Sequence, residues 1–440
     1  MILNESKYNK HWNIKELNQL GTFNRGKSKH RPRNDEALFL DGKYPLIQTG
    51  EIKEANLFIR KHKNVYNDFG LKQSKLWKKN TLCITIAANI AETALLGYPM
   101  CFPDSVVGFN AYPQESSEIF MHYVFTFIRK SIQSAASGSI QDNINIEYLT
   151  SLKFRIPEKS TQQKIASVLS SLDAKIELNN RINDELEAMA KTLYDYWFVQ
   201  FDFPDTEGKP YKSSGGEMVW SEELKREIPL GWEVVLMADW IANDKSGDWG
   251  KDSLEGNYTE KVSCIRGADI NGLNGLGSLN PPTRFILEKN AHKILNSHDL
   301  VIEISGGSPT QSTARLAYIT EATLKRFENP LICSNFCKAI SLKDTNLLYN
   351  FVYYWNSLYD SGTFFGYEGK TSGIKNFLFD SFVKSYYTVQ PDYFVVEKFY
   401  NIVENIQVKK QTALAENQQL SALRDWLLPM LMNGQVVVVE

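Results

Sequence analysis

The chain has 440 residues and a formal net charge of −2, with 43% hydrophobic and 12% aromatic residues. This length favours two to four domains, and the composition excludes an intrinsically disordered protein because it supplies enough apolar side chains for real cores. No run of about 18 apolar residues is present, and the polar beginning MILNESKYNK lacks the apolar region of a signal peptide, so we expect an intracellular, cytoplasmic protein.

Positive charge is concentrated near the beginning of the chain. Residues 1–155 contain 21 Lys and Arg against 14 Asp and Glu, whereas residues 232–390 contain 15 against 17. The stretch NRGKSKHRPR (24–33) has five Arg or Lys among its ten residues. A basic segment in a slightly acidic chain predicts a polyanionic partner such as nucleic acid, with a solvated basic surface as the alternative.

The cysteines indicate neither a disulfide framework nor a metal site. They are odd in number and lack paired spacing, which argues against disulfides. Cys333 and Cys337 are four residues apart, but no His or further Cys lies close to them in the sequence. We therefore expect this pair to be reduced, partly buried thiols, and we expect no bound metal.

The sequence is repeated, and the two copies diverge in nearly every loop. The segment HWNIKELNQL around Trp12 has a counterpart in GWEVVLMADW around Trp232. The alternation of Leu and Ile at 82–86 recurs 218 residues later at 300–304. Short alternating runs separated by Gly, Asn, Ser and Pro predict strand-rich domains of mixed α and β structure.

Each copy is followed by a long helical pattern. In residues 161–199, positions spaced alternately by four and three residues form a heptad seam with two Asn in its middle, and a helix of this length would span about 58 Å. The distal region 391–440 repeats the pattern at an offset of 234. Because neither seam can be buried alone, we expect an antiparallel pair in which Asn183 and Asn417 lie close together and fix the register. The alternative is that these Asn face solvent.

Four stretches resemble the specificity (S) subunits of type I restriction–modification systems. They are TQQKIASVLSSLDAKIELNNRINDELEAMAKTLYDYWFVQFDFP (161–204), LRDWLLPMLMNGQV (423–436), RGKSKHRPRND (25–35) and GDWGK (247–251). The first two are similar to the central and distal regions of these subunits. The last two are similar to parts of their target-recognition domains.

The resemblance implies an α+β fold with two strand-rich globular target-recognition domains, separated by two long antiparallel helices and related by an internal pseudo-two-fold repeat. Each domain would read one half of a bipartite, asymmetric site in double-stranded DNA, and the helices would set the spacer. The helices would also dock two methyltransferase subunits, which restriction/translocase subunits would join. The chain itself would be non-catalytic and hold no cofactor, because S-adenosylmethionine and ATP/Mg would bind to the partner subunits.

The internal repeat and the resemblance together give the domain boundaries. They are 1–157 for the first target-recognition domain, 158–204 for the central long helix region, 205–231 for a linker, 232–390 for the second target-recognition domain and 391–440 for the distal long helix region.

Two other functions compete with this one. A DNA adenine methyltransferase is suggested by NPPT (280–283), which follows the glycine-rich GLNGLG (272–277). However, Thr283 cannot stack on an extruded base, and the two motifs are too close together to belong to loops that follow different strands. A coiled-coil adaptor without DNA binding is also compatible with the heptad seams.

Loops rich in Arg, Lys, Gln, Ser and Thr are the candidate DNA contacts, because these side chains bind phosphates and base edges. In the first domain the candidates are Arg25, Lys27, Ser28, Lys29, His30, Arg31, Arg33, Gln48, Lys72, Gln73, Ser74, Ser139 and Gln141. In the second domain they are Lys245, Trp249, Lys251, Arg266, Ser305, Ser308, Thr310, Gln311, Arg315, Tyr367, Lys370, Thr371 and Lys375.

Overall fold

The structure, a computed structural model, divides into two compact units. The first consists of Met1–Leu178 and Glu416–Glu440, and the second of Asn179–Ala415. Each unit thus combines one globular part with a stretch of both long helices. None of the described helices is long and apolar enough to cross a membrane. The residues that the structure describes are 2–87, 89–137, 146–306, 310–371 and 374–438.

The first unit is built from short strands and helices of mixed order. Its strands are β1 (Asn13–Glu16), β2 (Gly21–Arg25), β3 (Tyr44–Leu46), β4 (Phe58–Ile59), β5 (Asn64–Tyr66), β6 (Leu76–Trp77), β7 (Leu82–Thr85), β8 (Thr93–Leu96), β9 (Met100–Cys101), β10 (Val106–Ala111) and β11 (Lys153–Ile156). Its helices are α1 (Leu17–Leu20), α2 (Thr49–Glu54), α3 (Asp68–Gln73), α4 (Glu118–Ser137), α5 (Ile146–Ser151) and the first part of α6 (Lys159–Tyr194).

The core of the first unit lies between α4 and the main sheet, whose strand order is β2–β10–β7–β8–β4. All four residues of strand β7 are buried. Because successive side chains of a strand point in opposite directions, both faces of β7 are covered. Leu82 and Ile84 face the cluster that includes Phe120 and Ile128 of α4. Cys83 faces a second cluster beneath the smaller sheet, whose order is β5–β3–β9–β6.

The second unit has its own set of strands and helices. Its strands are β12 (Met218–Ser221), β13 (Arg226–Pro229), β14 (Glu233–Leu236), β15 (Ile241–Ser246), β16 (Tyr258–Ile265), β17 (Thr283–Leu287), β18 (Leu300–Glu303), β19 (Ser305–Gly306), β20 (Leu316–Tyr318), β21 (Leu331–Cys333), β22 (Cys337–Leu342), β23 (Glu368–Thr371), β24 (Ile374–Phe377) and β25 (Tyr387–Gln390). Its helices are α7 (Met237–Trp240), α8 (Ile270–Leu273), α9 (Glu321–Leu324), α10 (Leu348–Asp360), α11 (Phe379–Ser385) and the first part of α12 (Tyr393–Met432).

The two units repeat one topology. The order β15–β22–β18–β20 in the second unit matches β2–β10–β7–β8 in the first. The antiparallel pair β14–β25 matches β1–β11, and the parallel pair β16–β21 matches β3–β9. Strands β19, β24 and β23 form a further small sheet in the second unit. The predicted α+β class and the internal repeat are therefore confirmed.

The heptad seam of α6 is buried as its spacing predicts. All ten seam positions are buried or partly buried, and the last lies in a π-helical turn, Asp195–Val199, that follows the helix. The seam consists of Ile165, Leu169, Leu172, Ile176, Asn179, Asn183, Leu186, Ala190, Leu193 and Trp197.

Within each unit, α6 and α12 run antiparallel. In the first unit, Ile165 shares a cluster with Leu431, and Lys175 pairs with Glu416 at 3.2 Å. In the second unit, Glu187 pairs with Lys410. Later in α6 the ring of Tyr194 packs 6.1 Å from that of Phe399, which comes earlier in α12.

The segment predicted as a linker, 205–231, is folded into the second unit. Strands β12 and β13 form a hairpin in which Met218 lies opposite Pro229. Its buried residue Ile228 belongs to the main cluster of this unit. The ring of Phe203 stacks between Tyr211 and Trp232, with centroid distances of 4.7 Å and 5.0 Å.

The two Asn of the predicted register pair differ in their surroundings. Asn183 is buried, and neither polar atom of its side chain has a hydrogen-bond partner in the described part of the chain. Asn417 is partly buried. Asn183 belongs to the second unit and Asn417 to the first. That the two side chains lie close together therefore stays a prediction.

Replacing Asn183 by Leu is expected to raise the free energy of unfolding by about 1–3 kcal/mol, because a buried amide without partners costs roughly that much. Urea denaturation measures the change, with the exposed Glu185→Leu on the same helix as control. Gel filtration tests whether Asn183 fixes the register of the helix pair. If it does, the Leu variant should elute as more than one species. A loss of stability would show that the amide has a partner.

Candidate nucleic-acid interface

The basic loop, residues 25–35, leaves the end of β2 and is fixed through its backbone. Gly26 N donates to Val106 O at 2.8 Å, and Lys27 N donates to Phe102 O at 3.2 Å. A Cβ atom on Gly26 would collide with the carbonyl oxygens of Phe102 and Pro103, so this close approach requires glycine. The loop therefore lies against the turn that connects β9 with β10.

Three side chains hold the shape of the basic loop. His30 Nε2 lies 2.7 Å from the carboxylate of Asp35. The pKa of Asp35 is lowered, mainly by this hydrogen bond and to a smaller extent by one from the backbone N–H of Ala37. Arg31 donates to the carbonyl oxygens of Ser28 and His30, at 2.5 Å and 2.8 Å. Arg33 pairs with Asp104 at 2.7 Å.

The other cations of the basic loop point to solvent. Arg25, Lys27 and Lys29 are exposed, and none of them pairs with an acidic side chain in the described ranges. Flexible cationic side chains on a fixed backbone suit contacts to phosphates.

The predicted stretch LKQS (71–74) lies beside the basic loop. Lys29 N donates to Gln73 O at 3.1 Å, and Ser74 Oγ donates to Lys27 O at 2.9 Å. Lys72 is exposed on the last turn of α3. The two loops are about 45 residues apart in the sequence, and both were predicted to contact DNA. In the structure they lie side by side.

The remaining candidates of the first unit are Ser28, Gln48, Ser139 and Gln141. Ser28 is partly buried. Gln48 is exposed and precedes α2, next to Ile47, whose N–H donates to Cys101 O at 3.0 Å. Ser139 and Gln141 lie outside the described residues.

In the second unit, the loop GDWGK (247–251) is also fixed through its backbone. Asp248 N donates to Cys333 O at 2.8 Å, and Lys251 N donates to Phe285 O at 2.9 Å. The ring of Trp249 is 38% exposed and stacks on the guanidinium of Arg284 at 4.2 Å. Lys251 pairs with Glu255 at 3.0 Å.

Four predicted cations of the second unit are engaged in ion pairs with buried or nearly buried carboxylates. The pairs are Lys245–Asp299 at 2.7 Å, Arg266–Asp269 at 2.8 Å, Arg315–Glu303 at 2.7 Å and Lys375–Glu368 at 3.0 Å. The hydrogen bonds to these carboxylates raise the pKa of Arg266 and of Arg315. Such pairs stabilise carboxylates that would otherwise be buried without compensation, so these cations have a structural role.

The other candidates of the second unit surround the small sheet β19–β24–β23. Ser305 Oγ lies 2.5 Å from Asn376 Oδ1, and Gln311 O accepts from Lys375 Nζ at 3.3 Å. Thr310 is exposed, and the ring of Tyr367 packs 4.9 Å from that of Phe382. Lys370 and Thr371 lie in β23, with side chains that are not described, and Ser308 lies outside the described residues.

Two residues beside these loops, one in each unit, were missed by sequence reasoning. Asp104 pairs with Arg33 and lies 3.9 Å from Arg31. The only feature of the sequence that could have indicated this role was a single acidic residue in a turn after a strand. Phe336 is 53% exposed in the turn between β21 and β22. It was missed because a single Phe between Asn335 and Cys337 has neither the charge nor the periodicity that would single it out. In the described ranges, no group of three or more His, Cys, Asp or Glu could hold a metal ion.

Comparisons with known proteins agree on one family. Residues 9–188 match the family described as "Type I restriction modification DNA specificity domain". The MjaIX specificity subunit of a type I restriction enzyme from Methanocaldococcus jannaschii is 23% identical over 447 residues, which cover 98% of this chain and 95% of that protein. The HindI specificity subunit from Haemophilus influenzae is 45% identical over 73 residues, 17% of this chain and 16% of that protein.

A solved structure shares the fold. The S subunit of a type I restriction–modification system from M. genitalium matches with a TM-score of 0.58 at 18% identity, covering 98% of this chain and 99% of that one. This likeness concerns the fold, and the family match, together with the M. jannaschii relative, confirms the resemblance noted in the sequence.

Proposed function

We infer that this chain, whose residues 9–188 match the type I restriction modification DNA specificity domain, is the DNA-recognition subunit of a type I restriction–modification system. It binds double-stranded DNA and is itself non-catalytic. The observation that carries the proposal is the basic loop, which presents Arg25, Lys27 and Lys29 to solvent from a backbone fixed by hydrogen bonds.

The repeated topology supports a bipartite target. Each unit holds its loops on an equivalent sheet, but the loops differ in chemistry, as expected for two readers of different half-sites. The first unit has unpaired cations, whereas four cations of the second are held in ion pairs. We propose that each unit reads one half of an asymmetric site.

The long helices supply docking surfaces for partners. In α6 and the turn that follows it, Ile182, Met189 and Tyr196 are exposed at seven-residue spacing and therefore share one face. On α12, Leu423 and Trp426 are exposed. We propose that two methyltransferase subunits bind these helices and that restriction/translocase subunits join them. S-adenosylmethionine, ATP and Mg then belong to the partners.

Replacing Lys27 and Lys29 together by Ala is expected to weaken DNA binding at every sequence and to flatten its salt dependence. Each lost phosphate contact reduces the slope of log K against log salt by about 0.9, so two contacts reduce it by up to about 1.8. The measurement is the affinity of the complex assembled with its methyltransferase partners for a random duplex over a range of salt concentrations. Lys7→Ala with Lys10→Ala in the same unit is the control, and an unchanged slope in the loop variant contradicts the proposal.

A further inference from the structure

The two units carry the same turn at the same place in the fold. In the first unit, Val106 N donates to Pro103 O at 3.1 Å and closes a turn between β9 and β10. In the second unit, Cys337 N donates to Ser334 O at 2.9 Å and closes a turn between β21 and β22. β9 and β21 are equivalent strands, as are β10 and β22, so the two turns correspond residue by residue.

A second hydrogen bond makes the correspondence specific. Ile86 N donates to Ser105 O at 3.0 Å in the first unit, and Ile304 N donates to Phe336 O at 2.9 Å in the second. In each unit the donor is the residue that directly follows the equivalent strand of the main sheet, β7 in the first unit and β18 in the second. Phe336 therefore occupies the position that Ser105 occupies in the first unit.

Each turn also supports the candidate DNA-binding loop of its own unit. Gly26 of the basic loop packs against the carbonyl of Pro103, and Gly247 of the loop GDWGK packs against the carbonyl of Ser334, in both cases too closely for a Cβ atom. Trp249 follows two residues after Gly247. The same scaffold therefore holds the basic loop in one unit and an aromatic loop in the other.

The chemistry at this shared position differs between the units. The first unit places Asp104 in the turn, where it anchors Arg33. The second unit places Asn335 and Phe336 there, both exposed, and the phenyl ring of Phe336 is 53% accessible. Phe336 O also accepts from Ser305 N at 3.1 Å, so the exposed ring projects from a rigid turn.

We propose that Phe336 is an apolar wedge that inserts at a base step of the half-site read by the second unit, and this inference rests on the proposed function. Proteins that deform DNA insert apolar side chains such as Phe between base pairs, and a rigid backbone reduces the entropy lost on binding. The second unit thus reads its half-site through stacking and deformability of the DNA. Its paired cations leave less charge available for phosphates.

DNA fits this position better than a protein partner does. The equivalent position of the first unit lies under the basic loop, whose unpaired cations suit phosphates. Around Phe336 the neighbouring groups are polar, with Ser305 bonded to Asn376 and with Asn335 exposed. A single aromatic ring among polar groups suits a base stack that is bordered by phosphates.

The test uses the complex of the chain with its methyltransferase partners and a duplex selected from a random library by the wild-type complex. The adenine analogue 2-aminopurine is placed in either half-site, because its fluorescence rises when its base step is unstacked. Phe336→Ser is expected to lower the affinity for this duplex about 10-fold or more and to abolish the fluorescence rise in one half only. Phe336→Trp should restore both, and Trp220→Ala, which removes an exposed aromatic of the same unit outside these loops, should change neither.

The outcomes separate the wedge from the function on which it rests. If the wild-type complex selects a sequence but Phe336→Ser binds it equally well, the wedge is wrong and the DNA-recognition function stands. If Phe336→Ser keeps its DNA affinity but loses a methyltransferase subunit in gel filtration, Phe336 contacts protein and the wedge is again wrong. If the wild-type complex selects no sequence, the proposed function itself fails.

Discussion

The Arg424→Met variant is expected to lose about 3–5 kcal/mol of the free energy of unfolding of the first unit, because it leaves a buried carboxylate without its cation. Asp173 on α6 is 2% exposed and accepts hydrogen bonds from Arg424 at 2.7 Å and from the hydroxyl of Tyr123 at 2.5 Å. Arg424 also donates to Asn56 at 3.0 Å. Removing the guanidinium therefore breaks a contact that joins both long helices to the globular part of this unit.

Urea denaturation of the full chain measures this loss. The matched control is Lys175→Met, which removes an ion pair with Glu416 between the same two helices. That pair is exposed, with accessible side-chain fractions of 44% and 42%, so its loss should cost about 0–1 kcal/mol. Equal effects of the two substitutions would show that the burial of Asp173 does not determine the stability.

Both units have a tyrosine hydrogen bond at this position of the repeat, but donor and acceptor are exchanged and the charge is lost in the second unit. Asp173 and Gln407 are 234 residues apart, the offset of the two helices. In the first unit Tyr123 donates to Asp173, and in the second Gln407 Nε2 donates to the hydroxyl of Tyr353 at 3.3 Å. Tyr123 of α4 and Tyr353 of α10 thus connect each globular part to a long helix, so a foreign domain grafted onto these helices should supply a tyrosine at this position.

Periodic features of the sequence were sufficient to predict the framework. A seam requires only local spacing, so the buried face of α6 followed from the positions of Ile165 to Trp197. The strands at 82–86 and 300–304 followed from alternation and from their recurrence. The basic loop was visible because its charges stand at every second residue from Arg25 to Arg33. The structure adds that this loop lies beside Gln73, which the sequence did not predict.

The partners of individual cations could not be predicted in the same way. Lys245 and Asp299 are 54 residues apart, and their contact depends on how β15 and the loop before β18 meet in three dimensions. Neither residue type nor spacing reveals that a carboxylate is buried. The segment 205–231 was misleading for a related reason, because its Gly, Pro and Lys residues resemble a linker although Ile228 enters the core.

Arg315→Met is expected to lose about 3–5 kcal/mol of the free energy of unfolding of the second unit, although the sequence placed Arg315 among the DNA contacts. The guanidinium makes two hydrogen bonds to Glu303, at 2.8 Å and 2.7 Å, and the carboxylate is only 4% exposed. Glu303→Leu alone should also destabilise the unit, since it leaves a largely buried cation. The double variant should regain most of the stability, because replacing both partners of a buried pair by apolar residues is often close to neutral.

The double variant also separates the structural role of Arg315 from DNA binding. If the guanidinium serves only Glu303, the double variant, once its stability is restored, should bind the selected duplex with wild-type affinity. Urea denaturation of the wild type, the two single variants and the double variant gives the coupling energy, which should amount to several kcal/mol for a directly bonded buried pair. A stable double variant with lost affinity for one half-site would instead show that Arg315 leaves Glu303 to contact a base or phosphate when DNA binds.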